Sequence, residues 1–287
     1  MSTRLDPRLQ VLTAALLFST GGVAVKSCSL TSWQIASFRC AVAAVAMLVL
    51  LPAARRRWSR GTVAVGCSYA CTLTLFVLAN KTTTAANAVF LQSTAPLYVL
   101  LLAPRLLGEK TKLRDLVVMA GMAAGLALFF VGEDVSFATA PAPLLGNLIG
   151  ALSGVSWAAT VMGLRWLERR GGGREGGAVA VVAGSVLASL ISLPLALPVV
   201  SSVTADWLWI AYLGIFQIAA AYILLTSALA VVPALEASLL ILLEPVASPV
   251  WAYLVHGEVP GPWAITGGAL IVAVTVAKSF WDHHRER

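Results

Sequence analysis

Two ionisable residues stand inside long apolar runs: Arg39 in SFRCAVAAVAMLVLL and Glu244 in LLILLEPVASPV. An intramembrane or deeply buried charge marks a functional site by default, because removing it from water is expensive. Glu244 is a candidate proton acceptor, since burial disfavours its charged form. A structural role is equally open, since Pro245 deprives the Ile241 carbonyl of its helical donor, and Glu244 or a water could satisfy that group. Arg39 is read as either a cavity charge or a structural one bonded to carbonyls or to a carboxylate between helices. Enzyme chemistry finds little to work with. The histidines are His256, His283 and His284, and the chain has no HExxH, P-loop or GxSxG pattern. No catalytic residue, metal or cofactor is expected. The four cysteines, 28, 40, 67 and 71, read as structural thiols in or beside apolar helices.

Uncharged polar and aromatic residues form a second set of candidates. Ser153, Ser156, Trp157 and Thr160 share one side of a helix by i, i+3, i+4, i+7 spacing. Such a stripe could line a cavity with an indole for stacking on an organic molecule, or could be an interhelical packing face. Asn87, Thr94 and Tyr98 align in another stripe, with Thr83. The Asn87 amide can donate and accept, so it is a candidate direct ligand or a partner for a neighbouring helix. Gln217 and Tyr222 fall inside a third run. Phe18, Ser19 and Thr20 stand beside Gly21-Gly22, where missing side chains allow close approach or bending. Gly146, Gly150 and Gly154, spaced by four, mark close helix packing. Together the candidates describe a moderately polar chamber with aromatic walls and few fixed charges.

The elements that position these residues follow from composition. The chain has 287 residues, 59% hydrophobic and 11% charged, whereas soluble domains carry about 25% charged residues. Apolar runs of about 20 residues recur along it, each long enough to cross a hydrocarbon core as a helix. Ten spans are predicted, at 9–28, 32–52, 61–79, 83–103, 114–131, 144–166, 177–199, 206–226, 233–255 and 261–280. Connections are short, so no sizeable soluble domain is expected.

With an even span count and the N-terminus inside, seventeen of the 20 Lys and Arg residues fall on the inner side. Lys26 and Lys81 fall on the outer side, near span ends from which they can snorkel. The net charge of +7 is therefore topology, with anionic lipid headgroups as its partner. No basic face or aromatic platform supports a nucleic-acid partner. Eight of the nine tryptophans, Trp251 among them, lie near predicted span ends and read as an interfacial belt; Trp157 alone lies well inside.

The chain also repeats itself. Pro96 is followed by Gly108-Glu109 at the spacing at which Pro245 is followed by Gly257-Glu258, close to half the chain away. Phe18 and Lys26 of span one align more weakly with Trp157 and Arg165 of span six. Two halves of five spans each, 1–139 and 140–287, must sit upside down relative to one another because five is odd. Inverted repeats are the architecture of secondary transporters, with the substrate near the midplane between them. Glu109 and Glu258 stand just before spans five and ten, so both Gly-Glu pairs read as a turn followed by a helix N-terminal cap.

The stretches TAANAVFLQSTAPLYVLLLAPRLLGEKTKLRD and VVPALEASLLILLEPVASPVWAYLVHGEVPGPW resemble the two repeats of the EamA family of the drug/metabolite transporter superfamily. The resemblance covers nearly the whole chain. It implies an all-α membrane protein, with spans one to four and six to nine around a central cavity and five and ten more peripheral. It implies cytoplasmic termini, and within the family the chain is most similar to bacterial amino-acid exporters of the YddG type. The halves differ at one telling point, since Ala95 stands where the other has Glu244.

A phosphorylated sugar would call for several inward Lys or Arg, and only Arg39 lies deep enough. A neutral or zwitterionic metabolite fits better. The expectation is a secondary active exporter of amino acids, aromatic or otherwise neutral, and related small metabolites across a bacterial cytoplasmic (inner) membrane. Its partners are that small molecule and the bilayer, and a monomer is one state open to it. A multidrug or cationic-compound exporter on the same fold is the alternative, with a passive channel below both.

Overall fold

The computed structural model describes residues 6–55, 58–106, 113–128, 130–131, 140–167, 173–228, 240–241 and 243–283. Gly108, Glu109 and Glu236 lie outside these residues. The chain is an all-α, multi-pass membrane protein. Among the described residues, six helical stretches are long and apolar enough to cross a bilayer: Pro7–Ser27, Ser32–Leu50, Arg60–Thr82, Pro143–Leu164, Gly176–Ala196 and Thr204–Leu225. These correspond to predicted spans one, two, three, six, seven and eight. Span four is Ala85–Gln92 followed by Ala95–Leu106, span five Leu113–Leu128, span nine Leu243–His256 and span ten Pro262–His283. Large apolar side chains such as Val49, Ile191, Leu208 and Leu254 stay more than half exposed, which suits hydrocarbon rather than water.

Packing is symmetric under exchange of the halves. Span three packs on span six as span eight packs on span one. Spans three and seven pair as do eight and two, and span four meets span six as span nine meets span one. Spans two and seven, four and nine, and five and ten pair with their own counterparts. The halves are also inverted. The first residues of span four meet the residue that follows span nine, with the Ala85 amide donating to Glu258 Oε2 at 3.0 Å. A Cβ on Gly146, near the start of span six, would lie 2.6 Å from the Thr83 backbone nitrogen, beyond the end of span three.

Glycines set the closest approaches. Gly66 and Gly184 interlock spans three and seven, each leaving room for the other's backbone. Gly146, Gly150 and Gly154 open one edge of span six to Thr83, Leu91 and Thr94 at the beginning and break of span four. Small residues at such seams let backbones approach where lipid supplies no hydrophobic drive between helices.

Three spans are interrupted. Span one breaks at Thr20, whose hydroxyl donates to the Leu17 carbonyl at 2.7 Å, before restarting at Gly21. Span four breaks at Ser93-Thr94, where each hydroxyl bonds back to a carbonyl of the preceding turn. Span eight carries a π-helical segment, Leu213–Ala220, between Thr204–Tyr212 and Ala221–Ala228. Pro96 falls in the first turn of Ala95–Leu106, and Pro245 and Glu244 fall in the first turn of Leu243–His256. A first turn tolerates proline and favours a carboxylate, which is a local reason for that pair to stand together.

The lysine-bearing end of the bundle departs from the sequence reading. Lys26 and Lys81 turn inward: Lys26 Nζ donates to the Thr83 carbonyl at 2.8 Å, and Lys81 Nζ donates to that of Cys28 at 2.5 Å. Free helix-end carbonyls draw these ammonium groups more closely than the interface does. Glu258 follows the turn made by Gly257, which has a φ of 65°. Its carboxylate, expected at the start of span ten, instead accepts from the first amide of span four. Trp251 is also no belt residue, for its Nε1 donates to the buried Ser19 Oγ at 3.0 Å.

Candidate functional site

A cavity of about 120 Å³ lies between the halves. Seven spans contribute to its wall: one, two, three and four from the first half, and six, eight and nine from the second. Each contribution depends on a local feature of its helix. Phe18 is carried on the last turn before the Thr20 break. Gln217 sits on the π-helical segment, whose Gly214 lies so close to span two that a Cβ would be 2.8 Å from the Arg39 carbonyl oxygen. π-Helical turns recur at functional sites because the extra residue re-aims a side chain. Glu244 is presented by the helix Leu243–His256 of span nine.

One wall is aromatic. The Phe18 and Tyr222 rings meet edge to face at 5.3 Å, and Tyr222 meets Tyr69 similarly at 5.4 Å. Tyr69 lies 6.5 Å from Trp157, so four rings from four spans form a continuous surface. Edge-to-face pairs of this kind are worth about 0.5–1.5 kcal/mol each beyond the area they bury. Thr72 and Gln92 add polar groups. Gln92 Nε2 donates to Ser153 Oγ at 2.8 Å.

The charged members are Arg39 and Glu244. Arg39 is 1% exposed. Its Nη2 donates to the Leu73 carbonyl at 2.8 Å and its Nη1 to Gln217 Oε1 at 3.4 Å. Its guanidinium carbon lies 5.9 Å from the Phe76 ring centroid. Arg39 Nε has no hydrogen-bond partner among the described residues. The ion pair between described residues joins Lys26 to Glu258, so neither Arg39 nor Glu244 has a salt-bridge partner there.

The structure therefore brings Phe18, Arg39, Trp157, Gln217, Tyr222 and Glu244 together. The remaining candidates stand outside the cavity lining and are engaged elsewhere. Asn87 Nδ2 donates to Asn147 Oδ1 at 3.2 Å, an atom that also accepts from Thr83 Oγ1 at 2.8 Å. Thr94 bonds the Leu91 carbonyl, and Tyr98 packs near Ala95, Ala158 and Met162. Thr20 Oγ1 lies 2.8 Å from the Tyr212 hydroxyl. Ser156 donates to the Ser68 carbonyl, Thr160 to that of Ser156, and Ser153 accepts from Gln92. The Ser/Thr face of span six thus fastens span three and props a cavity residue. Tyr69, Thr72, Phe76 and Gln92 were missed. The first three share one helix face, at i, i+3 and i+7, and that spacing was the signal available.

A ten-span inverted repeat enclosing a cavity with aromatic walls and two charges defines a membrane transporter rather than an enzyme. Residues 8–131 and 144–278 both match the EamA-like transporter family, and the chain belongs to that family, within the drug/metabolite transporter superfamily. A solved structure titled only as the crystal structure of a protein shares the fold, with a TM-score of 0.65 and 21% identity. That alignment covers 99% of this chain and 100% of the other. No curated protein matches the chain.

Proposed function

We propose that the chain is a secondary active exporter of amino acids, aromatic or otherwise neutral, and related small metabolites. It acts in a bacterial cytoplasmic membrane with both termini in the cytoplasm. The observation that carries the substrate class is the wall of Phe18, Tyr69, Trp157 and Tyr222 beside one cation and one carboxylate. Rings stack on an organic side chain, and a single charge of each sign suits a molecule of no net charge. A cavity of about 120 Å³ approaches the ~150 Å³ that holds a benzene ring, so a whole aromatic amino acid requires the halves to part. The Lys and Arg bias supports the orientation, and the YddG-type resemblance supports an amino acid.

A cationic-compound exporter on the same fold is the second reading, favoured by the absence of a salt-bridge partner for Glu244 among the described residues beside four aromatic rings, since such rings also attract cations. The deciding experiment is counterflow into liposomes carrying the purified protein. Labelled phenylalanine is expected to accumulate when unlabelled phenylalanine waits inside, and to be displaced by other neutral amino acids. Accumulation of a quaternary ammonium dye without phenylalanine counterflow would favour the second reading; dissipation without counterflow would mean a channel.

A further inference from the structure

A guanidinium buried without a counter-ion is costly, and so is a carboxylate. Here both line one cavity, and they do not pair with each other, no nitrogen–oxygen distance between them falling within ion-pair reach. Of the five N–H groups that a guanidinium carries, the bonds to Leu73 and Gln217 engage two. Those bonds fix the plane of Arg39 from two sides while Nε has no partner among the described residues. Glu244 likewise has no hydrogen bond or ion pair with a described residue.

The simplest occupant that satisfies both groups carries one charge of each sign in a single molecule. We infer that Arg39 and Glu244 are the two poles of a zwitterion-reading site. Arg39 takes the carboxylate of an α-amino acid, and Glu244 takes its ammonium group. The side chain of the amino acid lies against Phe18, Tyr69, Trp157 and Tyr222. Gln217 is a positioning residue, holding Arg39 Nη1 from the π-helical segment. Arg39 stands on span two and is held by Leu73 of span three and Gln217 of span eight, whereas Glu244 stands on span nine, so a bound zwitterion joins an arginine of the first half to a carboxylate of the second. This inference rests on the reading of the cavity as an amino-acid site.

The test compares three probes with one ring and different poles: phenylalanine, phenethylamine, which lacks the carboxylate, and 3-phenylpropanoate, which lacks the ammonium. Dissociation constants are measured by calorimetry on detergent-purified wild type, Arg39→Gln, Arg39→Lys and Glu244→Gln, each checked for a monodisperse, helical fold. A charge-assisted contact predicts that wild type prefers phenylalanine to either single-pole probe by about tenfold or more. Arg39→Gln should weaken phenylalanine and 3-phenylpropanoate by that factor and leave phenethylamine within about threefold. Glu244→Gln should weaken phenylalanine and phenethylamine and spare 3-phenylpropanoate. Arg39→Lys, which keeps the cation if the glutamine variant does not fold, should retain the preference for carboxylate-bearing probes at reduced strength. Equal weakening of all three probes by either neutral variant would overturn the inference and leave those residues structural. If wild type binds none of the three probes, the amino-acid reading itself fails; if it binds phenylalanine but shows no pole-specific losses, only the zwitterion site does.

Discussion

Lys26 and Glu258 form an ion pair, Nζ to Oε1 at 2.8 Å, with side chains only 2% and 1% exposed. One stands at the end of span one, the other in the turn between spans nine and ten. Glu258 Oε2 also accepts from the Ala85 amide, and Lys26 Nζ donates to the Thr83 carbonyl. Three span ends thus meet at two side chains. His256 Nε2 adds to the knot, 3.2 Å from the Val23 carbonyl. Removing one member takes the ion-pair partner from a buried charge, which costs about 3–5 kcal/mol. Glu258→Gln and Lys26→Met should each lower the melting temperature in detergent sharply. The double variant Lys26→Met/Glu258→Leu should recover part of the loss; a double variant as unstable as the sum of the singles would argue against a pair.

Gly146 packs against backbone. A Cβ there would lie 2.6 Å from both Thr83 N and Thr83 Cβ, and neither can rotate away. Gly146→Ala should cost about 1–3 kcal/mol through overpacking. Gly176, in the helix Gly173–Ala196, has open space around its Cβ position. Gly176→Ala should therefore stabilise by up to about 1 kcal/mol, the helix-propensity difference. Parallel thermal melts of the two variants should move in opposite directions.

Trp251 Nε1 donates to Ser19 Oγ at 3.0 Å, tying span nine to the break of span one. Interhelical hydrogen bonds in membranes average about 0.6 kcal/mol. A double-mutant cycle with Trp251→Phe and Ser19→Ala should return a coupling energy of that order. Strict additivity of the two losses would show that the bond contributes nothing.

Gly21 faces Gln217. An added Cβ would lie 2.8 Å from Gln217 Nε2, the far end of a flexible side chain. The fold should accommodate Gly21→Ala at a cost below about 1 kcal/mol. Gln217 would nevertheless shift, and its 3.4 Å contact with Arg39 Nη1 would go with it. Phenylalanine affinity is expected to fall by about tenfold, the worth of a hydrogen bond to a charged group, with the melting temperature nearly unchanged. Unchanged affinity would remove Gln217 from the positioning of Arg39.

Much of this architecture was legible in the chain. Each apolar run declares its own span, and the Pro96 and Pro245 twins with the Gly-Glu pairs declared the repeat. The Gly146, Gly150 and Gly154 stripe correctly marked a tight seam. Legibility ended where a side chain's partner comes from another span. Asn87 read equally as a direct ligand or as a partner for a neighbouring helix, and span six supplies Asn147 to engage it. Glu258 looked like the cap of the helix that follows it, yet the amide it accepts from begins span four. Tyr69 carried only the shared helix face with Thr72 and Phe76 as a mark, and became a cavity residue because spans six and eight place Trp157 and Tyr222 beside it.

The sequence by itself determined that the chain crosses a bilayer as helices and does so twice over in opposite senses. Hydrocarbon forces every backbone polar group to be satisfied within its own segment, so that information must be written locally. Only the tertiary structure decided which polar groups face the cavity and which face one another. Those partnerships depend on helix rotation and register between distant spans, and on breaks at Thr20, Ser93-Thr94 and Leu213–Ala220 that re-aim side chains by amounts no periodicity encodes. Arg39 and Glu244 stand out in the chain as charges inside apolar runs; that they share a cavity without pairing with each other is a property of the packed halves.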